Sequence, residues 1–424
     1  MNANYLHRLS HAKTHADIEL AFTAQLRQTE LQWSGNVMAE QFGSNPWPQS
    51  PSSAEQYRTY TPTLPTTPPF HVADATTQPL RRLRKWPALL TLYLLAPITG
   101  EVLSGSTPPL QFINPLSLLA LTGLYGSGAI VARELVRRRG LGWPSLLLFG
   151  AAYGILEEGL VVTSWFNPKW HDLGFLAYYG RLFGTSWVWA TQLTIYHAIV
   201  SILVPVLLTE ILFPRIANRP WLGKRGFTTF AIWLAFVSLL EGFFFILVAI
   251  RSKGYTHPPL MYLGALLLAI GFVVWGLRLR PSSRPVHEQF PTNTPQPAPH
   301  LWWLRLAGFG GILAIFASAW VLPRLVPLPI VPILSMLGIL GLGTWLLSCW
   351  TKRANWGTQH RLAFISGIMA FFIALSPLVE FAVHPIGRIT TGMTLFDLAF
   401  LAGLVFLAWR VRRQAVSIPT FWPN

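Results

Sequence analysis

From Trp86 onward the chain alternates between long apolar runs and short polar connections. The runs cover approximately residues 86–103, 113–132, 143–166, 187–213, 227–250, 260–277, 306–322, 330–348, 362–383 and 391–409. Each is near the roughly 17–25 residues that an α-helix needs to cross about 30 Å of hydrocarbon. The pattern predicts an all-α, polytopic integral membrane protein with about ten transmembrane helices.

The connections alternate in charge as well. One set holds Arg133/Arg137/Arg138/Arg139, Arg215/Arg219/Lys224/Arg225, Arg278/Arg280/Arg284/Arg305, Lys352/Arg353/Arg361 and Arg410/Arg412/Arg413. With Arg81, Arg82, Arg84 and Lys85, about 22 basic residues fall on one side. The opposite connections hold only Lys169, Arg181, Arg251, Lys253, Arg324 and Arg388. Basic residues gather on the cytoplasmic side, so an N-in/C-in topology in the cell membrane is expected. Merging or losing one helix would break the alternation.

Composition agrees with this reading. The chain is 52% hydrophobic and 11% charged, with mean hydropathy +0.42, whereas a soluble domain carries about 25% charged residues. The 19 Trp and 34 Pro suit a chain with membrane interfaces and membrane helices. A net charge of +16 raises the question of nucleic acid, but the basic residues lie in short clusters between apolar runs, as loops beside anionic lipid do. The expected partner is therefore the lipid bilayer, with a small molecule, an ion or a lipid as substrate, and no nucleic acid. Cys349 is the only cysteine and sits in an apolar run, which excludes a disulfide framework or a cysteine metal site.

By pattern the chain divides into a cytoplasmic tail (1–80), a bundle of six helices (81–277), a cytoplasmic Pro-rich loop (278–305), a bundle of four helices (306–413) and a second tail (414–424). The first tail opens without an apolar signal segment. Thr14–Trp33 reads as an amphipathic helix, and the stretch Asn45–Pro79, rich in Pro, Ser and Thr, cannot bury enough apolar surface to fold. Gly150/Gly154 and the cluster Gly338/Gly341/Gly343 are expected to mark close helix packing.

Candidate chemistry lies inside the runs, where a charge costs several kcal/mol and demands an explanation. The ionisable residues there are Glu101, Glu157, Glu158, His197, Glu210, Glu241, Glu380 and Asp397. At 1.5 Å per residue, Glu101, Glu157, Glu158 and Glu241 stand about 20–23 Å above the cytoplasmic boundary. Asp397 falls near the same level, His197 a little deeper and Glu380 somewhat higher. These seven form one layer in the outer half of the membrane, a candidate proton- or cation-binding set. Glu210, near the cytoplasmic interface, reads as a solvated helix end.

In 143–166, Gly150, Gly154 and Glu158 recur at i, i+4, i+8 and line one stripe. Glu157 lies about 100° away, on the face of Tyr153. Two adjacent carboxylates at this depth favour holding one proton, as acid–base catalysis or proton coupling requires. In 187–213, His197, Ser201 and Pro205 form a similar stripe, and Pro205 is expected to kink the helix. Pro97 before Glu101 and Pro377 before Glu380 repeat the pairing of a helix break with a carboxylate, a device some transporters use. Each acid also has a plain role as a packing group bonded to a neighbouring helix.

Loop 167–186 carries Trp170, Phe175, Tyr178, Tyr179 and Phe183. An interfacial aromatic belt is the first reading, and a lid above the acidic layer the second. His171 and Asp172 would have to join His197 to bind a metal; no close-spaced ligand pair exists in the sequence, so no metal and no cofactor is expected. No phosphate-binding loop is present.

The Glu157–Glu158 pair followed by His197 on the next helix resembles the CPBP (CAAX-processing and bacteriocin-processing) family of intramembrane proteases over roughly residues 140–250. The resemblance implies that Glu157 or Glu158 activates water with the help of His197. Val162 stands where that family has Arg, Leu193 stands where it has Phe, and no later helix carries His-x-x-x-Asn. The sequence thus supports three readings. The first is a transporter using the acidic layer; the second is a glutamate-dependent membrane hydrolase with Glu157, Glu158 and His197 catalytic; the third is a scaffold or sensor whose acids fix the packing.

Overall fold

The computed structural model describes residues 85–251, 258–279, 297–353, 355–383 and 389–416. The expectations for the N-terminal tail, most of loop 278–305 and nearly all of the C-terminal tail lie outside these residues. Among the described residues the regular structure is helical except for one hairpin of two short strands, Arg181–Leu182 and Thr185–Ser186.

Ten apolar helices follow in order: α1 Trp86–Val102, α2 Pro115–Arg139, α3 Trp143–Val161, α4 Trp187–Leu212, α5 Lys224–Val248, α6 Pro259–Arg278, α7 Leu301–Trp320, α8 Ile330–Trp350, α9 Thr358–Ala382 and α10 Met393–Gln414. Among the described residues, α2–α10 are long and apolar enough to cross a membrane, and α1 is a shorter apolar helix. The protein is an all-α, multi-pass membrane protein. Starts are set by local chemistry: proline occupies the first turn of α1, α2, α3 and α6, where its missing N–H costs nothing. Asn114 Oδ1 accepts the Leu116 N–H at 3.0 Å. Gly140, at φ +65°, ends α2 in a left-handed turn.

Burial is uneven in the way a bilayer permits. In α4, 83% of the apolar stretch is buried, against 17% in α5 and α6 and 11% in α8. Leu239, Phe243, Leu266 and Trp345 are exposed, which a soluble protein would cover but hydrocarbon accommodates. α4 is the hub. One apolar core joins it to α1, α2, α3 and α5, and another joins it to α7, α9 and α10. The two groups of helices on either side of loop 278–305 therefore share cores.

Close approach is set by particular glycines. A Cβ at Gly150 would lie 2.8 Å from the Ala198 Cα, and one at Gly154 would lie 2.9 Å from the His197 Cβ. The α3 stripe is thus pressed directly onto α4. Gly308 and Gly367 do the same at the α7–α9 crossing. Gly338, Gly341 and Gly343 do not: nothing lies within 4 Å of a Cβ built at any of them. Their spacing resembles a packing motif, but α8 is mostly uncovered. Gly150→Val is expected to force α3 from α4 and to destabilise the fold by about 1–3 kcal/mol, the usual cost of overpacking; thermal unfolding in detergent measures it, and an unchanged midpoint would refute the close contact.

At the basic end the charges expected in loops are partly internal. α2 runs on past the apolar stretch, and Arg133 and Glu134 are fully buried. Arg133 Nη1 meets Glu134 Oε1 at 2.8 Å, and its Nε lies 3.2 Å from Glu210 Oε1. Arg137 Nε donates to Glu210 Oε1 at 2.8 Å. The Arg133 guanidinium stacks 3.4 Å over the Trp221 ring. Glu134 accepts the N–H groups of Trp221 and Leu222, at 2.7 and 3.2 Å. Glu210 is therefore no solvated helix end; it is 3% exposed and doubly paired. Lys85, Arg133 and Arg138 bond carbonyls of residues 217–223, which places several clusters of the basic set at one end.

Candidate functional site

Five helical stretches of the described residues wind as π-turns: Ile98–Val102, Thr122–Gly126, Ile155–Val161, His197–Leu203 and Val379–Val383. The wider winding shows in bonds from Leu103 N to Ile98 O (3.0 Å) and from Val162 N to Glu157 O (2.7 Å). π-turns concentrate at functional sites, and four of these five carry the residues of one cluster. They hold Glu101, Tyr125, the pair Glu157/Glu158, and His197 with Ser201. The α4 turn ends just before Pro205, whose ring forbids the bond to Ser201 O and accounts for the break. Backbone oxygens in these turns find side chains: Gly100 O accepts the Tyr196 hydroxyl, and Leu160 O the Tyr262 hydroxyl.

His197 is the centre. Its Nε2 lies 3.1 Å from Glu158 Oε1, and its Nδ1 lies 2.9 Å from Ser201 Oγ and 3.2 Å from Glu157 Oε2. The imidazole is 1% exposed and ringed by Tyr125, Tyr153 and Tyr196 at centroid separations of 5.9, 6.2 and 5.1 Å. The two carboxylates are not equivalent. Glu158 is held on both oxygens, by His197 and by the Ser164 hydroxyl, which in turn accepts Trp189 Nε1 at 3.0 Å. Glu157 Oε2 is buried and makes no aligned hydrogen bond among the described residues; the same is true of the Tyr153 hydroxyl that faces Glu157.

Ser164 is delivered by strain. Thr163, buried, has φ +57°, a conformation that β-branched residues avoid and that persists where surrounding structure imposes it. It turns the chain immediately after the α3 π-turn and aims Ser164 back at Glu158.

Glu101 adds a third carboxylate, bonded by the Tyr125 hydroxyl and by Thr107 Oγ1 (2.7 Å). It interacts electrostatically with His197 and Glu158. Glu241, from α5, lies within electrostatic reach of Glu101 and Tyr153. The other two members of the layer go elsewhere. Glu380 accepts the N–H groups of Gly392 and Thr394, each at 2.7 Å, and so caps the start of α10. Asp397, buried, faces Ser376 and Glu380. Equal depth does not bring these two to His197, because α10 packs chiefly along α9 and joins the core shared with α4 through Leu404, Leu407 and Val411, nearer the basic end than Asp397.

One ligand atom each from Glu157, Glu158 and His197 lies within 4.8 Å of the others, a donor set of carboxylate and imidazole able to hold a divalent cation. Chain spacing concealed it, because the donors come from two helices. His171 pairs instead with Asp172, at 3.2 Å, in the outer loop. In that loop Leu173 and Leu176 are buried in one core with Trp165, Phe166 and Trp189, whereas Tyr178 and Phe183 are exposed. Of the three tyrosines around His197, Tyr125 and Tyr196 were the main omission. A tyrosine hydroxyl buried in hydrocarbon needs a partner, and Tyr125, set among Gly123, Gly126 and Gly128, carried that signal.

The fold and the site define a polytopic helical membrane protein with an ionisable cluster sealed inside its bundle. The chain belongs to a family described as an uncharacterized membrane protein family, whose model matches residues 89–421. No curated protein and no solved structure matches it.

Proposed function

We propose that the protein is a membrane-embedded hydrolase of the cell membrane in which Glu157 is the general base and His197 its partner. The observation that supports this best is the asymmetry of the two carboxylates around one imidazole. Glu158 is bonded on both oxygens, by Ser164 and by His197 Nε2, whereas Glu157 Oε2 makes only an unaligned 3.2 Å contact with His197 Nδ1 beside the Tyr153 hydroxyl. A water there would give its proton to Glu157 as its oxygen attacks a carbonyl carbon. Glu157, now protonated and steadied by His197, would pass that proton to the departing nitrogen as the carbon–nitrogen bond breaks, yielding an acid and an amine. Resemblance to the CPBP proteases suggests a peptide bond near the membrane as the substrate. Tyrosines and the carboxylates of Glu101 and Glu241 stand around the cluster in this chain, where that family uses Arg and His-x-x-x-Asn.

A proton- or cation-coupled transporter is the second reading, favoured by Glu101 and Glu241, which bring acids from α1 and α5 toward the same focus. It draws less support because Glu380 and Asp397 leave the layer. Protein reconstituted in vesicles with single-span peptides separates the two, with mass spectrometry for products and a trapped pH dye for flux. Cleavage that disappears in His197→Ala is expected. Proton flux without cleavage would transfer the site to the transporter reading, and neither signal would end the hydrolase proposal.

A further inference from the structure

On the face of α4 away from the cluster, an apolar groove of about 230 Å³ runs between α3, α4, α7, α8 and α9. Along α8 it extends from Trp350, at the basic end, to Ile339. That is about 16 Å of helix at 1.5 Å per residue, close to half of the roughly 30 Å hydrocarbon core. The groove is therefore as long as one leaflet is deep. Its width comes from Gly311 and Gly343, each with open space where a side chain would project.

The mouth of the groove is charged. Trp143 lines both the groove and a small neighbouring pocket that also touches Arg133, Arg137 and Glu210. Arg361, exposed, stands one helical turn before the groove-lining Phe364 and interacts with Glu210 and Arg137. Three guanidinium groups, of Arg133, Arg137 and Arg361, gather about Glu210 there, and Glu134 is the one further carboxylate paired with them, so the mouth keeps a positive excess. Apolar length matched to one leaflet, directly beneath surplus positive charge, is the shape of an anionic phospholipid.

We propose that this groove is a binding site for one anionic phospholipid of the leaflet on the basic side, with an acyl chain along α8 and its phosphate at Arg361 and Arg137. The test is native mass spectrometry of the full chain in mild detergent, titrated separately with phosphatidylglycerol and phosphatidylcholine. One retained phosphatidylglycerol per chain is expected. Arg361→Gln should reduce the preference over phosphatidylcholine by about fivefold, the contribution of one arginine at a lipid surface. Gly343→Phe and Gly311→Leu, which fill the groove from opposite walls, should each abolish retention of both lipids. Two variants on different helices keep a folding defect in either one from deciding the matter. Equal retention of the two lipids by the wild-type protein would overturn the proposal, as would retention unaffected by both fillings. Displacement of the lipid by inorganic phosphate alone would also overturn it, because the acyl chain would then contribute nothing. So would a dimer mass lost on filling, which would assign the groove to a second copy of the chain.

Discussion

Glu157→Gln is expected to remove hydrolytic activity while leaving the bundle folded. Glutamine keeps the shape of the side chain but cannot take a proton from water, and general-base catalysis contributes about 10²–10⁴-fold to rate. Glu158→Gln should act differently. Its amide can still accept from the Ser164 hydroxyl, but the charge that orients His197 is gone, so the loss should be partial. Turnover of a membrane peptide by the two variants, compared at equal folded fraction, measures the contrast. Equal loss in both would refute the division of roles, and full activity in Glu157→Gln would refute the assignment of the base.

The second large effect lies at the basic end. Glu134→Ala should destabilise the protein by about 2–4 kcal/mol, because two N–H groups lose their acceptor and a buried guanidinium loses the nearer of its two carboxylates. Arg133, fully buried, would keep Glu210 at 3.2 Å but lose the 2.8 Å contact, and the Trp221 and Leu222 N–H groups would lose their acceptor. Replacing both members of the pair, as Arg133→Met with Glu134→Leu, should cost less than the single change, because the buried guanidinium leaves with its carboxylate while Glu210 keeps Arg137. Denaturant unfolding in micelles compares the two. A loss below about 1 kcal/mol in Glu134→Ala, the scale of an exposed pair, would show that the cluster is open to water.

The ten apolar helices were legible in the sequence because the thickness of hydrocarbon imposes one length on every run. Part of the site was legible for a related reason. Depth follows from counting residues, and Glu101, Glu157, Glu158 and His197 share both a depth and a focus. Depth says nothing about azimuth or about which helices are neighbours, so Asp397 and Glu380 were grouped with a cluster they do not join. Arg133 was read as loop charge and Glu134 was passed over; an arginine alone is costly in a membrane, and its partners Glu134 and Glu210, the second 76 positions after the first in sequence, make its burial tolerable. The π-turns left no sequence signature beyond nearby prolines, since any residue can occupy the extra position.

That extra position has a consequence for α4. Its π-turn, His197–Leu203, lies between the imidazole and Glu210. A π-turn holds one residue more than the α-turn it replaces, and one residue is worth about 100° of rotation. The two ends of the helix are thus held in phase by an inserted residue: His197 faces the carboxylates while Glu210 faces the arginines. Deleting one residue between them would leave a more regular helix that could satisfy only one end at a time. The least regular stretch of the most buried helix is what allows a single rod to serve both faces of the membrane.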